Sequence, residues 1–508
     1  MKRILSIICA AALLLSFSAC EKKNTDNSEY HSAEASSVTA AVAETMSETV
    51  TETMSETVTE TAAAVETTAE EITVPETTVS ESAAETAAQE TIEETASSTA
   101  ASASETALTT TAVETSATSE TTAKAETTAI QTTAAKTTVS ETPISTEAET
   151  TTKAKPSASD WDMTTQEIVA DMGIGINLGN TYEACGDWIV QWGDGTPESY
   201  ETAWGSPVIT KAMIKGYKVA GFGVLRIPVA WSNMMGENYT VSKEYIETVR
   251  EAVDWALECD LYVIMNLHWD NGWMEKFPTE TDECMKRYTK IWEQVSAAFA
   301  DYDHRLVFES QNEELGWSSV WDPWKGAAGK SESYALVNKV NQTFVDVIRS
   351  SGGNNDKRHL LISGYNTNID HTCDSLFKMP DDPAGRCAIS VHYYAPATFA
   401  IITEDVDWGK SQRTWGTASE KAYLAEQLDL MKKTFTDKGI PVIIGEYGCP
   451  TENKDMDSVR LYLSTVCKEA YKRNMCPVLW STPGGHYDRN TCKMIDPELA
   501  EMYEKIIE

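Results

Sequence analysis

Between residues 21 and 158 the chain has no tryptophan and no phenylalanine, and Tyr30 is its lone aromatic residue there. Thr, Glu, Ala and Ser make up almost all of that segment. It cannot bury enough apolar surface to offset the entropy of ordering its backbone, so a disordered, extended tether is expected. An eight-residue repeat, Glu44–Thr51 then Glu52–Thr59, does not rescue a helix. Threonine is a poor helix former, and glutamates four apart on one face repel.

Positive charge is also scarce. The tether holds 25 acidic against 6 basic side chains, about half of the chain's formal charge of −37. The acidity therefore describes the tether, and it excludes the basic footprint that nucleic-acid binding needs. Long apolar runs are missing too. The longest, Ile4 to Leu15, is too short to span a membrane. With Lys2 and Arg3 before it and small residues after it, residues 1–20 read as a secretion signal. Cys20 stands where bacterial lipoproteins are lipidated, which implies membrane attachment at the cell surface; the plain alternative is an ordinary cleaved signal.

Nine cysteines follow residue 158, with no Cys-x-x-Cys pair among them, so a structural zinc site is not expected. The number is odd, so at least one thiol is free. No Gly-x-Ser-x-Gly turn supports serine acyl transfer, and no phosphate-binding glycine loop follows the first strand.

What residues 159–508 do contain is fifteen tryptophans and eight short apolar, β-rich runs. The runs are Gly173–Asn177, Val224–Val229, Tyr262–His268, Leu306–Glu313, His359–Gly364, Ala388–Tyr394, Pro441–Gly448 and Pro477–Ser481. Helical periodicity separates them, as over Glu244–Glu258, Ser419–Lys433 and Met456–Lys472. Strands alternating with helices imply a parallel sheet, and eight units over this length predict a closed (β/α)8 TIM barrel. An open doubly wound sheet is the alternative.

In such a barrel the chemistry sits at the C-terminal strand ends. Asn177, Asn180, Arg226, His268, Asn312, Glu313, His392, Tyr394, Glu446 and Trp480 all fall there. A carboxylate ending an apolar strand is costly unless it is paired or used. Two of them, Glu313 and Glu446, suggest the paired carboxyls of glycoside hydrolysis. One would be a general acid and the other an ionised nucleophile, their pKa values pushed apart by their surroundings. Arg226 and Tyr394 are placed to keep Glu446 ionised, and Asn312 to hold a sugar hydroxyl. Glu309 reads as an interior hydrogen-bonding residue, and Glu314 as a loop residue pointing away from Glu313. His268 and His392 beside the glutamates leave a metal site as a minor alternative; no metal and no cofactor are expected. Of Trp188, Trp192, Trp204, Trp269, Trp273, Trp317, Trp321, Trp324, Trp408, Trp415 and Trp480, about half are expected to be sugar platforms and half packing anchors. Trp480 is the best placed to floor the site.

These motifs resemble glycoside hydrolase family 5. Gly175-Ile-Asn-Leu-Gly-Asn180, Val224–Val229, Asn266-Leu-His268, Asn312-Glu313, Val391-His-Tyr-Tyr394 and Ile444-Gly-Glu-Tyr-Gly448 match its pattern from about Trp161 to the C-terminus. The resemblance implies Glu313 as acid/base and Glu446 as nucleophile. It implies Arg226, His268, Asn312, His392, Tyr394 and Trp480 as the surrounding subsite. Glu201-Thr-Ala-Trp-Gly-Ser-Pro207 is similar to the bacterial endoglucanase and xyloglucanase branch. One departure stands out: Glu314 takes the place of the proline that follows the acid/base in many members. The expected protein is an extracellular or surface-tethered, monomeric endo-β-1,4-glucanase whose partner is a polysaccharide. Xyloglucan, mixed-linkage glucan, mannan and xylan are the competing substrates. A non-catalytic polysaccharide-binding lipoprotein is the competing class.

Overall fold

The computed structural model describes residues 160–315, 321 and 326–508. The expected signal with Cys20, the tether, Trp317 and Trp324 lie outside the described residues, as does the side chain of Trp192.

Eight parallel strands close in sequence order into a barrel. They are β1 (Gly175–Asn177), β2 (Val224–Ile227), β3 (Tyr262–Asn266), β4 (Leu306–Glu309), β5 (Leu360–Ser363), β6 (Cys387–Tyr393), β7 (Val442–Tyr447) and β8 (Cys476–Leu479). The expected TIM barrel is thus the fold, and the open sheet is excluded because β1 pairs with β8 as well as with β2.

Alternation along the strands divides the side chains. Leu225, Ile227, Val263, Met265, Phe308, Ile389 and Ile444 point outward and pack under the helices. Val224, Tyr262, Ile264, Val307, Leu361, Ala388, Ile443 and Val478 fill the lower interior. Helix Thr165–Met172 closes the barrel's lower end, adding Ile168, Val169 and Met172 to that inner cluster. Its start is fixed by a capping box between Thr164 and Glu167. One step up each strand, the inward positions turn polar: Asn177, Arg226, Asn266, Glu309, Ser390 and Glu446. All six are buried. The apolar floor fixes the register, and the register delivers the polar layer to the mouth.

The outer helices follow the expected periods closely: Lys243–Glu258, Ala418–Thr434 and Met456–Tyr471. Ser242, Thr417 and Asp455 cap them by accepting backbone N–H bonds. Most strands are shorter than the apolar runs, and at β4 the difference bears on the site. β4 stops at Glu309, so Glu313 stands four residues past the ladder rather than on it. The chain stays beside its neighbours there, because Ser310 N donates to Leu361 O at 2.9 Å and Asn312 N to Leu267 O at 3.0 Å. After β8 comes an unforeseen hairpin, β9 (Tyr487–Asp488) with β10 (Lys493–Met494). Its two-residue strands fall below the length at which an apolar period is visible.

Candidate active site

Arg226, at the inward position of β2, is fully buried and donates in four directions. Nε reaches Glu309 Oε2 (2.7 Å), Nη1 reaches Asn177 Oδ1 (2.9 Å) and Glu446 Oε1 (2.8 Å), and Nη2 reaches Asn312 Oδ1 (3.1 Å). A planar fork of five donors suits this task, and lysine would not. Glu309 also accepts from Ser390 Oγ at 2.7 Å. It is a saturated interior group, in keeping with its expected hydrogen-bonding role.

Glu446 takes a second donor, Tyr394 OH, on Oε2 at 3.0 Å. A register shift in β7 between Ile444 and Tyr447 turns Glu446 into the mouth. Gly445 is needed beside it: a Cβ there would stand 2.9 Å from Ser390 Oγ and 3.2 Å from His392 Nε2. Among the described residues Glu313 has one hydrogen-bond partner, His392 Nδ1, at 2.7 Å from its Oε1. His392 Nδ1 also lies 3.6 Å from Glu446 Oε2. One oxygen of each carboxyl and one nitrogen of His392 lie within 4.8 Å of one another. These three groups have metal-binding spacing, and one hydrogen bond, between His392 and Glu313, joins two of them.

Electrostatics separate the two carboxyls. Burial pushes both up, while the charges of His392 and Arg226 pull both down. The His392 hydrogen bond leaves Glu313 below its ordinary value, and Glu446, with Glu313 beside it, stays above its own. His392 Nε2 is buried with no hydrogen-bond partner among the described residues. Hydrogen bonding divides the pair: Glu446 accepts from the Arg226 guanidinium and the Tyr394 phenol, and Glu313 pairs with the His392 ring. Tyr394 itself is pushed well up by burial and by Glu446, so it remains a donor.

His268 follows β3, bonds Asn266 Nδ2 through Nδ1 (3.2 Å) and stacks on Trp480 with ring centroids 5.9 Å apart. Burial and the neighbouring Arg226 push it well down, so it is neutral. Trp480 follows β8, its N–H donating to Tyr447 O at 2.8 Å. Asn180 sits in the turn after β1 with φ +57°, and its N–H donates to Glu183. The mouth therefore gathers Arg226, His268, Asn312, Glu313, His392, Tyr394, Glu446 and Trp480, with Asn180 in the turn beside Trp480.

Glu314 lies in the loop, as expected, and feels the charges of Glu313 and Glu446. Burial raises it to about 8. Of the tryptophans, Trp273, Trp321 and Trp415 are packing anchors, while Trp188 and Trp408 are exposed. Glu201 of the 201–207 stretch is buried and accepts Ile209 N–H at 2.7 Å, a structural role. Sequence reasoning missed Ser390, Glu183 and Arg489. Ser390 was findable from alternation, two residues before His392 on the same face. Arg489 lies outside any periodic element.

A closed (β/α)8 barrel with two carboxyls converging at its C-terminal mouth is the architecture of a glycoside hydrolase. Residues 190–484 match the model of the cellulase family, glycosyl hydrolase family 5, and the chain belongs to that family. Endoglucanase A of Clostridium longisporum is 38% identical over 315 residues, covering 62% of this chain and 58% of that one. A xyloglucan-specific endo-beta-1,4-glucanase of Bacteroides ovatus is 34% identical over 340 residues, covering 63% and 65%. The chain spans less than two thirds of the length of each. A solved GH5-4 broad specificity endoglucanase from an uncultured bovine rumen ciliate is 36% identical, with a TM-score of 0.61, covering 68% of this chain and 98% of that one.

Proposed function

We propose that the chain is a retaining endo-β-1,4-glucanase, with Glu313 as acid/base and Glu446 as nucleophile. The observation that carries this is the spacing: one oxygen of each carboxyl lies within 4.8 Å of the other, which fits the retaining separation of about 5–5.5 Å between carboxyl groups better than the wider spacing of an inverting site. In the first step Glu446 attacks the anomeric carbon while Glu313 gives its proton to the leaving oxygen. In the second Glu313 takes a proton from water, which displaces Glu446. Arg226 and Tyr394 hold the nucleophile ionised. Asn312, fixed by Arg226, takes a sugar hydroxyl, and Trp480, His268, His392 and Asn180 complete the subsite. Release of reducing ends from carboxymethylcellulose by the wild type, and its loss in Glu446→Gln, tests the scheme; a wild type that only binds would favour the non-catalytic class.

Xyloglucan is the second substrate reading, favoured by the Bacteroides ovatus relative. The rest of the proposal is positional. Residues 1–20 export the chain, Cys20 is lipidated, residues 21–158 are a tether, and residues 159–508 work as a monomer at the cell surface. Among the described residues no helix is long and apolar enough to cross a membrane.

A further inference from the structure

The turn after β1 and the segment after β8 are bound together directly behind Trp480. Arg489, 3% exposed, is the centre of that junction. Its Nη1 donates to Thr181 Oγ1 (2.8 Å) and Ser206 Oγ (2.7 Å). Its Nη2 donates to the carbonyls of Gly179 (2.6 Å) and Ser481 (3.4 Å). The two carbonyl-bearing segments also join directly, Gly179 N donating to Ser481 O at 3.2 Å. Gly179 is in contact with the indole: a Cβ there would lie 3.0 Å from Trp480 Cζ2. On the mouth side Trp480 stacks on His268 with an interplanar angle of 6°. Glu183 holds the same turn by accepting the N–H groups of Asn180 and, at 2.9 Å, Thr181.

We propose that Arg489 is a positioning residue of the substrate subsite: by gripping the Gly179 and Ser481 carbonyls it sets the plane of Trp480 and the place of Asn180. The acceptors bracket those residues in sequence. Gly179 and Thr181 flank Asn180, and Ser481 follows Trp480. Four oxygens from three separate segments, in one plane's reach, call for a guanidinium; an ammonium has three donors on one point. None of its hydrogen bonds goes to Glu313 or Glu446, so Arg489 acts through the platform alone. A loosened platform weakens sugar binding in ground and transition state alike, which raises KM more than it lowers kcat.

This inference rests on the glucanase reading, so the wild type must first cleave cello-oligosaccharides; if it does not, that reading fails and this one is not what failed. Steady-state kinetics on cellotetraose, normalised to titrated active sites, then compare Arg489→Met, Arg489→Lys and Ser206→Ala. Arg489→Met is expected to raise KM about tenfold with kcat within about threefold, and Arg489→Lys to recover part of the loss. Ser206→Ala, which keeps the guanidinium and removes one acceptor, is expected to raise KM about twofold and covers the case in which Arg489→Met does not fold. KM unchanged per active site in the variants that fold, whatever their Tm, would overturn the proposal and leave Arg489 a purely structural tie.

Discussion

Arg226 Nη1 donates to Glu446 Oε1 at 2.8 Å, joining β2 to β7 across the mouth of the barrel. The same guanidinium holds Glu309, so one buried cation stands between two buried carboxylates. Removing one partner of such a group leaves uncompensated charge in a low-dielectric interior. Arg226→Met should therefore lower unfolding stability by about 3–5 kcal/mol as well as abolish activity. Chemical denaturation checks the first and reducing-end release the second. A stable, active variant would mean that Arg226 is not the keystone of the polar layer.

Tyr394 separates catalysis from stability. Among the described residues its OH bonds Glu446 alone, at 3.0 Å, and the ring packs at the edge of the core. Hydrogen bonds to charged groups contribute about 1.5–3 kcal/mol, so Tyr394→Phe should cut kcat by roughly 10–100-fold. Its Tm should stay within a few degrees of the wild type. Equal kcat in both proteins would show that Glu446 needs no phenol.

The acid/base role of Glu313 depends on the leaving group. Glu313→Gln should slow cellotetraose hydrolysis by about 10²–10⁴-fold. An activated aryl glucoside, whose phenolate leaves without a proton, should lose much less in its first step. The burst of released phenol measures that step directly. An equal loss on both substrates would assign the proton to another group.

Glu314 carries the pH dependence of stability. Its pKa in the folded protein is raised to about 8, above the ordinary carboxyl value, so folding holds a proton that the unfolded chain has released. A raised carboxyl therefore costs stability, and the cost grows as pH rises from about 4.5 towards 8. Glu314→Gln removes it. The variant should match the wild type at pH 4 and exceed it by at least about 1 kcal/mol at pH 8. Stability curves that stay parallel across that range would contradict the burial of this carboxyl.

The barrel and its polar layer were legible because both follow from a period. Eight apolar runs separated by helical segments leave few closed alternatives, and polar residues at seven strand ends have one common location. Glu313 shows where the period stops helping. The ladder ends at Glu309, and the last four residues are placed by hydrogen bonds to β3 and β5 that no local pattern announces. Arg489 was invisible because its partners Thr181, Ser206 and Gly179 lie 308, 283 and 310 residues away along the chain. The 201–207 stretch carried a family likeness and no sign of what its carboxyl does: Glu201 is buried and accepts the Ile209 N–H.

The most direct test of the paired glutamates is the stereochemistry of the first product. Proton NMR during hydrolysis of cellotetraose resolves the anomer released before mutarotation. Double displacement through Glu446 predicts the β-anomer first. The α-anomer first would mean an inverting site, and the roles assigned to Glu313 and Glu446 would be wrong.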